Sequence, residues 1–313
     1  MYVGIDIGGT KCAVTLGDGL GVIKEKIRFD TMDLNQTLKK IFEAVESFSG
    51  FSAIGVSCGG PLDADKGIIL SPPNLPGWDN VPIKNILETK FDVCCAIEND
   101  ANACALAEHK FGAGIGTQNM VFLTFGTGLG AGIILNGELY SGTNGMAGEV
   151  GHVRLESYGP VGYGKSGSFE GFCSGGGIAK IGRYKALEQF QMGNSVAYCN
   201  GAEDMDNITA KRIAECAKSG DKLSKEIYEI CATHLGMGLS VIIDILNPEL
   251  IVMGGIYGRC RELLEPVMLD LIKKEALFAS AGVCRVLPAK LGEEIGDYAA
   301  LAVAANAYEK RLL

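Results

Sequence analysis

Apolar positions along the chain follow two periods. At the start, Val3-Gly4-Ile5-Asp6-Ile7 runs into Gly8-Gly9-Thr10-Lys11 and then Cys12-Ala13-Val14-Thr15-Leu16. That pattern predicts a strand, a glycine turn and a second strand, closed by the hairpin signal Asp18-Gly19. The design returns 118 positions later, setting Leu123 against Ile5, Gly126 against Gly8 and Asn136-Gly137 against Asp18-Gly19. Two hairpins in one register predict two similar domains. After each, the period lengthens to that of helices. Leu34 to Phe48 is amphipathic and precedes the apolar run Ala53-Ile54-Gly55-Val56-Ser57. Ile208 to Leu246 reads as helix, interrupted near Ser219-Gly220-Asp221, and is followed by the strand Leu250-Ile251-Val252-Met253 and the turn Gly254-Gly255. An alanine-rich helix closes the chain from Tyr298 to Leu313. Strands alternating with helices predict α/β layers.

Composition narrows the class. The 313 residues are 47% hydrophobic and 21% charged, ordinary values for a soluble enzyme of two domains. The net charge of −9 and the absence of a basic run argue against nucleic acid and anionic membrane as partners. No basic-then-apolar leader precedes Tyr2, and no uncharged apolar run approaches about 18 residues, so a cytoplasmic location is expected. The eleven cysteines never form Cys-x-x-Cys and lie mostly in apolar segments, which predicts buried thiols instead of disulfides or a zinc ribbon.

Forty-four glycines against nine prolines place the excess in turns and ligand-facing loops. In a glycine turn between two strands, backbone N–H groups can converge on an anion. Gly8-Gly9-Thr10-Lys11 adds a hydroxyl and an ammonium; Gly126-Thr127-Gly128 adds another hydroxyl. Each alone is an ordinary turn. As a register-matched pair, with Gly254-Gly255 as a third turn, they suit a polyphosphate held from both sides, and Asp6 could orient magnesium through water. These turns join strand to strand and contain no Gly-Lys-Ser/Thr, so they are neither the Walker nor the Rossmann loop. The duplicated arrangement resembles the actin-like ATPase (ribonuclease H-like) fold, which implies an α/β architecture of two similar domains with a cleft between them. Residues 1–115 form the first, with helix 297–313 packing back on it, and 116–296 the second. Asp100 follows the apolar strand Val93 to Ile97, where it can serve as a general base for an alcohol or as the cap of the helix beginning at Ala101. Two of the three histidines, His109 and His234, fall in helical segments and read as structural.

Several segments together resemble the ROK family of sugar kinases and sugar-sensing repressors: Asp6 to Lys11, Gly59-Gly60-Pro61, Ser71 to Trp78, Glu98-Asn99-Asp100-Ala101-Asn102-Ala103, Gly126 to Gly130, Gly148-Glu149-Val150-Gly151-His152, and Asn247-Pro248 through Gly254-Gly255. The resemblance runs through nearly the whole chain. It implies transfer of the γ-phosphate of ATP to a hexose, with Asp100 as base. Gly60 beside Gly59, Asn74, Asn99, Asp100, Glu149, His152 and Glu170 would bind sugar, with Trp78 as a packing or docking aromatic. ATP and Mg2+ would be held by Asp6, Gly8, Gly9, Thr10, Lys11, Gly126, Thr127, Gly128, Gly254 and Gly255. Glucose is the expected acceptor; N-acetylmannosamine, fructose and allose are alternatives, as is a non-catalytic sugar-sensing regulator. Regulators of the family carry a helix-turn-helix ahead of this region, whereas this chain begins almost on its first phosphate-loop strand. The family habit implies a homodimer.

One departure stands out. Family members commonly hold zinc with the histidine equivalent to His152 and three cysteines ahead of the glutamate equivalent to Glu170. Here Val161, Tyr163 and Ser168 occupy the cysteine positions. Structural zinc needs four N or S donors, so no zinc is expected, and packing of Val161, Tyr163 and Phe169 would have to order the loop instead.

Overall fold

A computed structural model describes residues 1–312, and the last residue of the predicted C-terminal helix, Leu313, lies outside them. The chain divides into two compact units. One holds Met1–Phe122, Gly132–Ala147 and the stretch from Ala289 onward; the other holds Leu123–Ala131 and Gly148–Pro288.

The N-terminal hairpin, β1 (Tyr2–Ile7) and β2 (Lys11–Gly17), is followed by β3 (Ile23–Asp30), α1 (Leu34–Glu46) and β4 (Ala53–Cys58). A small hairpin, β5 (Leu62–Asp63) and β6 (Ile68–Ile69), precedes α2 (Ile83–Phe91), β7 (Cys94–Asn99) and α3 (Asp100–Phe111). The sheet runs β3-β2-β1-β4-β7, with β1 antiparallel to β2 and parallel to β4. Ile5, Val14, Ile41, Ile54, Val56 and Leu87 form its core, all completely buried.

The second hairpin is β8 (Met120–Phe125) and β9 (Leu129–Leu135), then β10 (Glu138–Leu139). Each copy begins 118 positions after its counterpart, Met120 after Tyr2 and Leu129 after Lys11. The two turns that end the hairpins differ. Asn136 and Gly137 make a tight turn with φ of 54° and 79°, whereas Asp18 closes a longer loop by accepting the Leu20 and Val22 amides on its Oδ1, both at 2.9 Å. Next come the hairpin β11 (Val161–Gly162) and β12 (Lys165–Ser166), α4 (Phe169–Phe172), α5 (Gly175–Gln191), α6 (Ala210–Lys218) and α7 (Lys222–Leu246). The chain ends with β13 (Leu250–Met253), α8 (Ile256–Glu275), α9 (Phe278–Ala281), β14 (Arg285–Pro288) and α10 (Ile295–Leu312). The second sheet runs β10-β9-β8-β13-β14 and so repeats the order of the first, element for element. This duplicated plan is the actin-like ATPase fold. The break between α6 and α7 falls at Ser219–Asp221, where Asp221 caps α7 by accepting the Ser224 amide. Among the described residues, α7 is the one helix long and apolar enough to cross a bilayer, yet it packs as a core helix through Tyr228, Cys231, Leu235, Leu239 and Ile243.

Within the first unit, α10 lies directly on the sheet because a row of small residues lets it. Gly4, Gly55 and Ala96 stand side by side on β1, β4 and β7. A β-carbon on Gly55 would come 2.2 Å from both Ala300 O and Ala304 N, and one on Gly4 2.7 Å from Leu301 N. Two residues further along, the same face carries Asp6, Ser57 and Glu98. Asp297, at the head of α10, pairs with Lys26. Burial pushes the Glu98 carboxyl from its ordinary 4.5 up to about 7, although it accepts a hydrogen bond from Asn102 Nδ2 at 3.1 Å. The folded state therefore holds a proton that the unfolded chain releases. The resulting cost is absent below about pH 4.5, grows with pH and is complete above 7. Glu98→Gln is expected to raise the melting temperature at pH 8 and to leave it unchanged at pH 4.5, as thermal melts at the two pH values would register.

Candidate active site

In the first unit, the Gly8–Lys11 turn is closed by the Gly8 amide donating to Lys11 O at 3.1 Å and braced by Thr31 Oγ1 donating to Gly8 O at 2.6 Å. This leaves Thr10 and Lys11 exposed. Gly9 abuts Asn74, whose carbonyl oxygen is 2.6 Å from where a β-carbon on Gly9 would stand. Gly59, beside Gly60 in the turn after β4, faces both Asn74 and Asp100: a β-carbon there would lie 3.5 Å from Asn74 Nδ2 and 3.6 Å from Asp100 Oδ2. The structure thus gathers Gly9, Gly59, Asn74 and Asp100 around one spot. Trp78 is 1% exposed and is a packing residue.

Asp100 is the first residue of α3, and the capping role falls to Asn99, whose Oδ1 accepts the Asn102 amide at 2.9 Å. Asp100 is exposed, yet partial loss of hydration raises its pKa. Burial raises Asp6 further, from 3.8 to about 6, helped by the neighbouring charges of Asp100 and Asp297 and opposed by Arg28 and Lys26. Asp6 thus lies near enough to Asp100 to feel its charge.

In the second unit, the Gly126–Gly128 turn carries the matching features. The Gly126 amide donates to Gly128 O at 3.1 Å, and Thr127 is exposed. The first amides of α5, those of Gly175 and Gly176, donate to Gly126 O at 2.8 Å and Thr127 O at 3.3 Å, while Ser174 caps the helix. Helix donors that would otherwise lack partners thus fix the turn. The third glycine turn joins it: the Gly254 amide donates to Leu123 O at 2.9 Å, and Gly255, with φ of 65°, heads α8 beside Gly126. From this turn opens a cavity of about 780 Å³, walled by α5, α6, α7 and α8, with Ile256 and Tyr228 as apolar surfaces and Lys211, Lys218 and Arg259 as cations. Sequence reasoning missed those three. Lys211, Glu215 and Lys218 recur at the spacing of an ordinary solvated helix face, so nothing in the pattern marks them.

Three of the residues implied for the acceptor, Glu149, His152 and Glu170, lie in the second unit. Glu149 and His152 are exposed on a 3₁₀ turn, Val150–His152. Glu170 lies in the first turn of α4, and its Oε2 accepts the Leu129 amide at 3.0 Å. The loop between them corrects one expectation. Of the three residues meant to pack it, only Phe169 is in the core, at 1% exposure. Val161 is 39% exposed, and Tyr163 is 90% exposed at the tip of the β11–β12 hairpin. Backbone ties order the loop instead. Arg154 Nη1 donates to Ser166 O at 2.7 Å, Lys165 Nζ to His152 O at 2.7 Å, and Lys180 Nζ to Val161 O at 2.6 Å. Ser168 caps α4 by accepting the Gly171 amide at 3.1 Å. Hairpin and turn geometry, absent from a hydrophobicity count, explain the difference. Among the described residues no group of three or more His, Cys, Asp or Glu side chains could hold a metal. Treatment with a strong zinc chelator is expected to leave the melting temperature unchanged; a fall of several degrees, reversed by zinc, would contradict this.

The sequence profile of the ROK family matches residues 2–307, and the chain belongs to that family. It is 31% identical to a glucokinase of Thermotoga maritima, over 96% of each chain. It is also 30% identical to a xylose repressor of Caldicellulosiruptor bescii, covering 88% of this chain and 71% of the repressor. Among solved structures, a ROK family glucokinase from Streptomyces griseus in complex with glucose and AMPPNP superposes with a TM-score of 0.72 at 30% identity, over 97% of this chain and 98% of that one.

Proposed function

We propose that this chain is a cytoplasmic, ATP-dependent hexose kinase whose acceptor is glucose. The observation that carries the reading is the pair of matched glycine turns, one opening on a cavity of nucleoside size, together with an exposed carboxylate at the head of α3 that is free of capping duty. The cavity fits ATP: apolar walls suit a purine, and Lys211, Lys218 and Arg259 suit its phosphates. The Gly126–Gly128 turn, the Thr127 and Thr10 hydroxyls and Lys11 would hold the β- and γ-phosphates. A magnesium ion, when bound, supplies positive charge against the triphosphate, and Asp6 is the residue suited to hold it through water.

Asn74, Glu149, His152 and Glu170 would hold the sugar hydroxyls, joined by the Asn99 amide nitrogen, which capping leaves available. Asp100 takes the proton of the attacking hydroxyl as its oxygen bonds to the γ-phosphorus and the bond from phosphorus to the β–γ bridging oxygen breaks, releasing ADP. Names among the relatives support both kinase and repressor. The cavity at the Gly126–Gly128 turn, which sugar sensing alone would not need, favours the kinase. A coupled ADP-release assay over neutral, amino and N-acetylated hexoses tests the proposal. Sugar-dependent ADP release highest with glucose is expected; release with no sugar on the panel would overturn the kinase, and preference for N-acetylmannosamine, fructose or allose would reassign the acceptor.

A further inference from the structure

We propose that Glu170 is a positioning residue that ties the acceptor loop to the nucleotide-phosphate turn, so that sugar and nucleotide bind cooperatively through one carboxylate. This rests on the kinase reading above. A carboxylate beside a turn that holds a polyphosphate is electrostatically adverse unless something else engages it. Here the engagement is explicit. Glu170 Oε2 accepts the amide of Leu129, the first residue after the Gly126–Gly128 turn, at 3.0 Å. The same oxygen stands 2.7 Å from where a β-carbon on Gly128 would be, so the turn is moulded against it.

The other side of Glu170 meets the acceptor residues. Gly151, between Glu149 and His152, is wedged between the two partners: a β-carbon there would lie 2.1 Å from Leu129 O and 3.3 Å from Glu170 Cβ. Ser168 fixes the helix turn that carries Glu170. With Oε2 committed to Leu129, Oε1 is left to accept a sugar hydroxyl. A sugar that draws Glu170 into place thereby orders Gly128 and Leu129, and a nucleotide that orders the turn places Glu170 for the sugar. Linkage requires the two effects to be equal.

The test is calorimetric titration of the magnesium-loaded protein with AMPPNP, with and without glucose, and with glucose, with and without AMPPNP. Wild type is expected to bind each ligand at least about fivefold tighter in the presence of the other. Glu170→Ala should weaken AMPPNP by about tenfold in the absence of sugar, the loss of one charge-assisted hydrogen bond, and should abolish the coupling. In Glu170→Gln an amide oxygen still accepts from Leu129, so sugar-free AMPPNP affinity should return to within about threefold of wild type, while glucose affinity stays low. A Glu170→Ala protein that binds sugar-free AMPPNP as wild type does, and loses only glucose affinity, would overturn the proposal and leave the kinase standing. Wild-type protein that binds no AMPPNP would overturn both. Should Glu170→Ala not fold, Gly128→Ala displaces the same oxygen; it is expected to weaken glucose binding from within the phosphate turn, and unchanged glucose affinity would count against the proposal.

Discussion

Asp100→Asn should lower kcat by about 10²- to 10⁴-fold, the usual contribution of a positioned general base, while the protein melts and binds AMPPNP as wild type does. The substitution keeps size and removes the proton acceptor. Folding should tolerate it because the cap of α3 is Asn99, through its bond to the Asn102 amide. An Asp100 that merely capped the helix would leave turnover nearly intact, and Asn, an equally good cap, would hold the melting temperature in either case. The kcat therefore separates the two roles, and an unchanged melting temperature shows that lost turnover is not lost folding. A variant retaining more than about a tenth of wild-type kcat would remove Asp100 from the mechanism.

Gly55→Ala carries the largest expected loss of stability. The added methyl would meet Ala300 O and Ala304 N at 2.2 Å, and both belong to helix backbone that cannot rotate away as a side chain would. Either α10 lifts from the sheet or β4 bends. Overpacking of that kind costs about 3 kcal/mol, a fall of roughly 5 °C in melting temperature for a chain of this size. Gly258→Ala is the matched control. It lies within α8, and a β-carbon there has nothing within 4 Å. Replacing this helical glycine should stabilise by up to about 1 kcal/mol. Equal melting temperatures for the two variants would show that α10 is not seated on the glycine row.

Much of the fold could be read from the chain because it is written twice. Strand, glycine turn and strand recur at a fixed offset, and strand boundaries in the structure keep that offset. Asp100 could be singled out for the same kind of local reason, a carboxylate at the exit of an apolar strand. Its freedom from capping could not, since Asn99 and Asp100 are both good caps and only backbone dihedrals decide which one serves. The cavity wall was hidden more deeply. Lys211, Lys218 and Arg259 come from two helices far apart in sequence, and their meeting depends on tertiary packing. The seat of α10 was likewise illegible: Gly4, Gly55 and Ala96 form a row only after parallel strands have aligned.

The ties of Arg154, Lys165, Lys180 and Ser168 to the loop around β11 and β12 have a consequence for where such a protein can work. A loop shaped by peptide groups and long cationic side chains holds no thiol between Arg154 and Ser168 for peroxide to consume. An oxidative burst would leave this stretch of chain as it was.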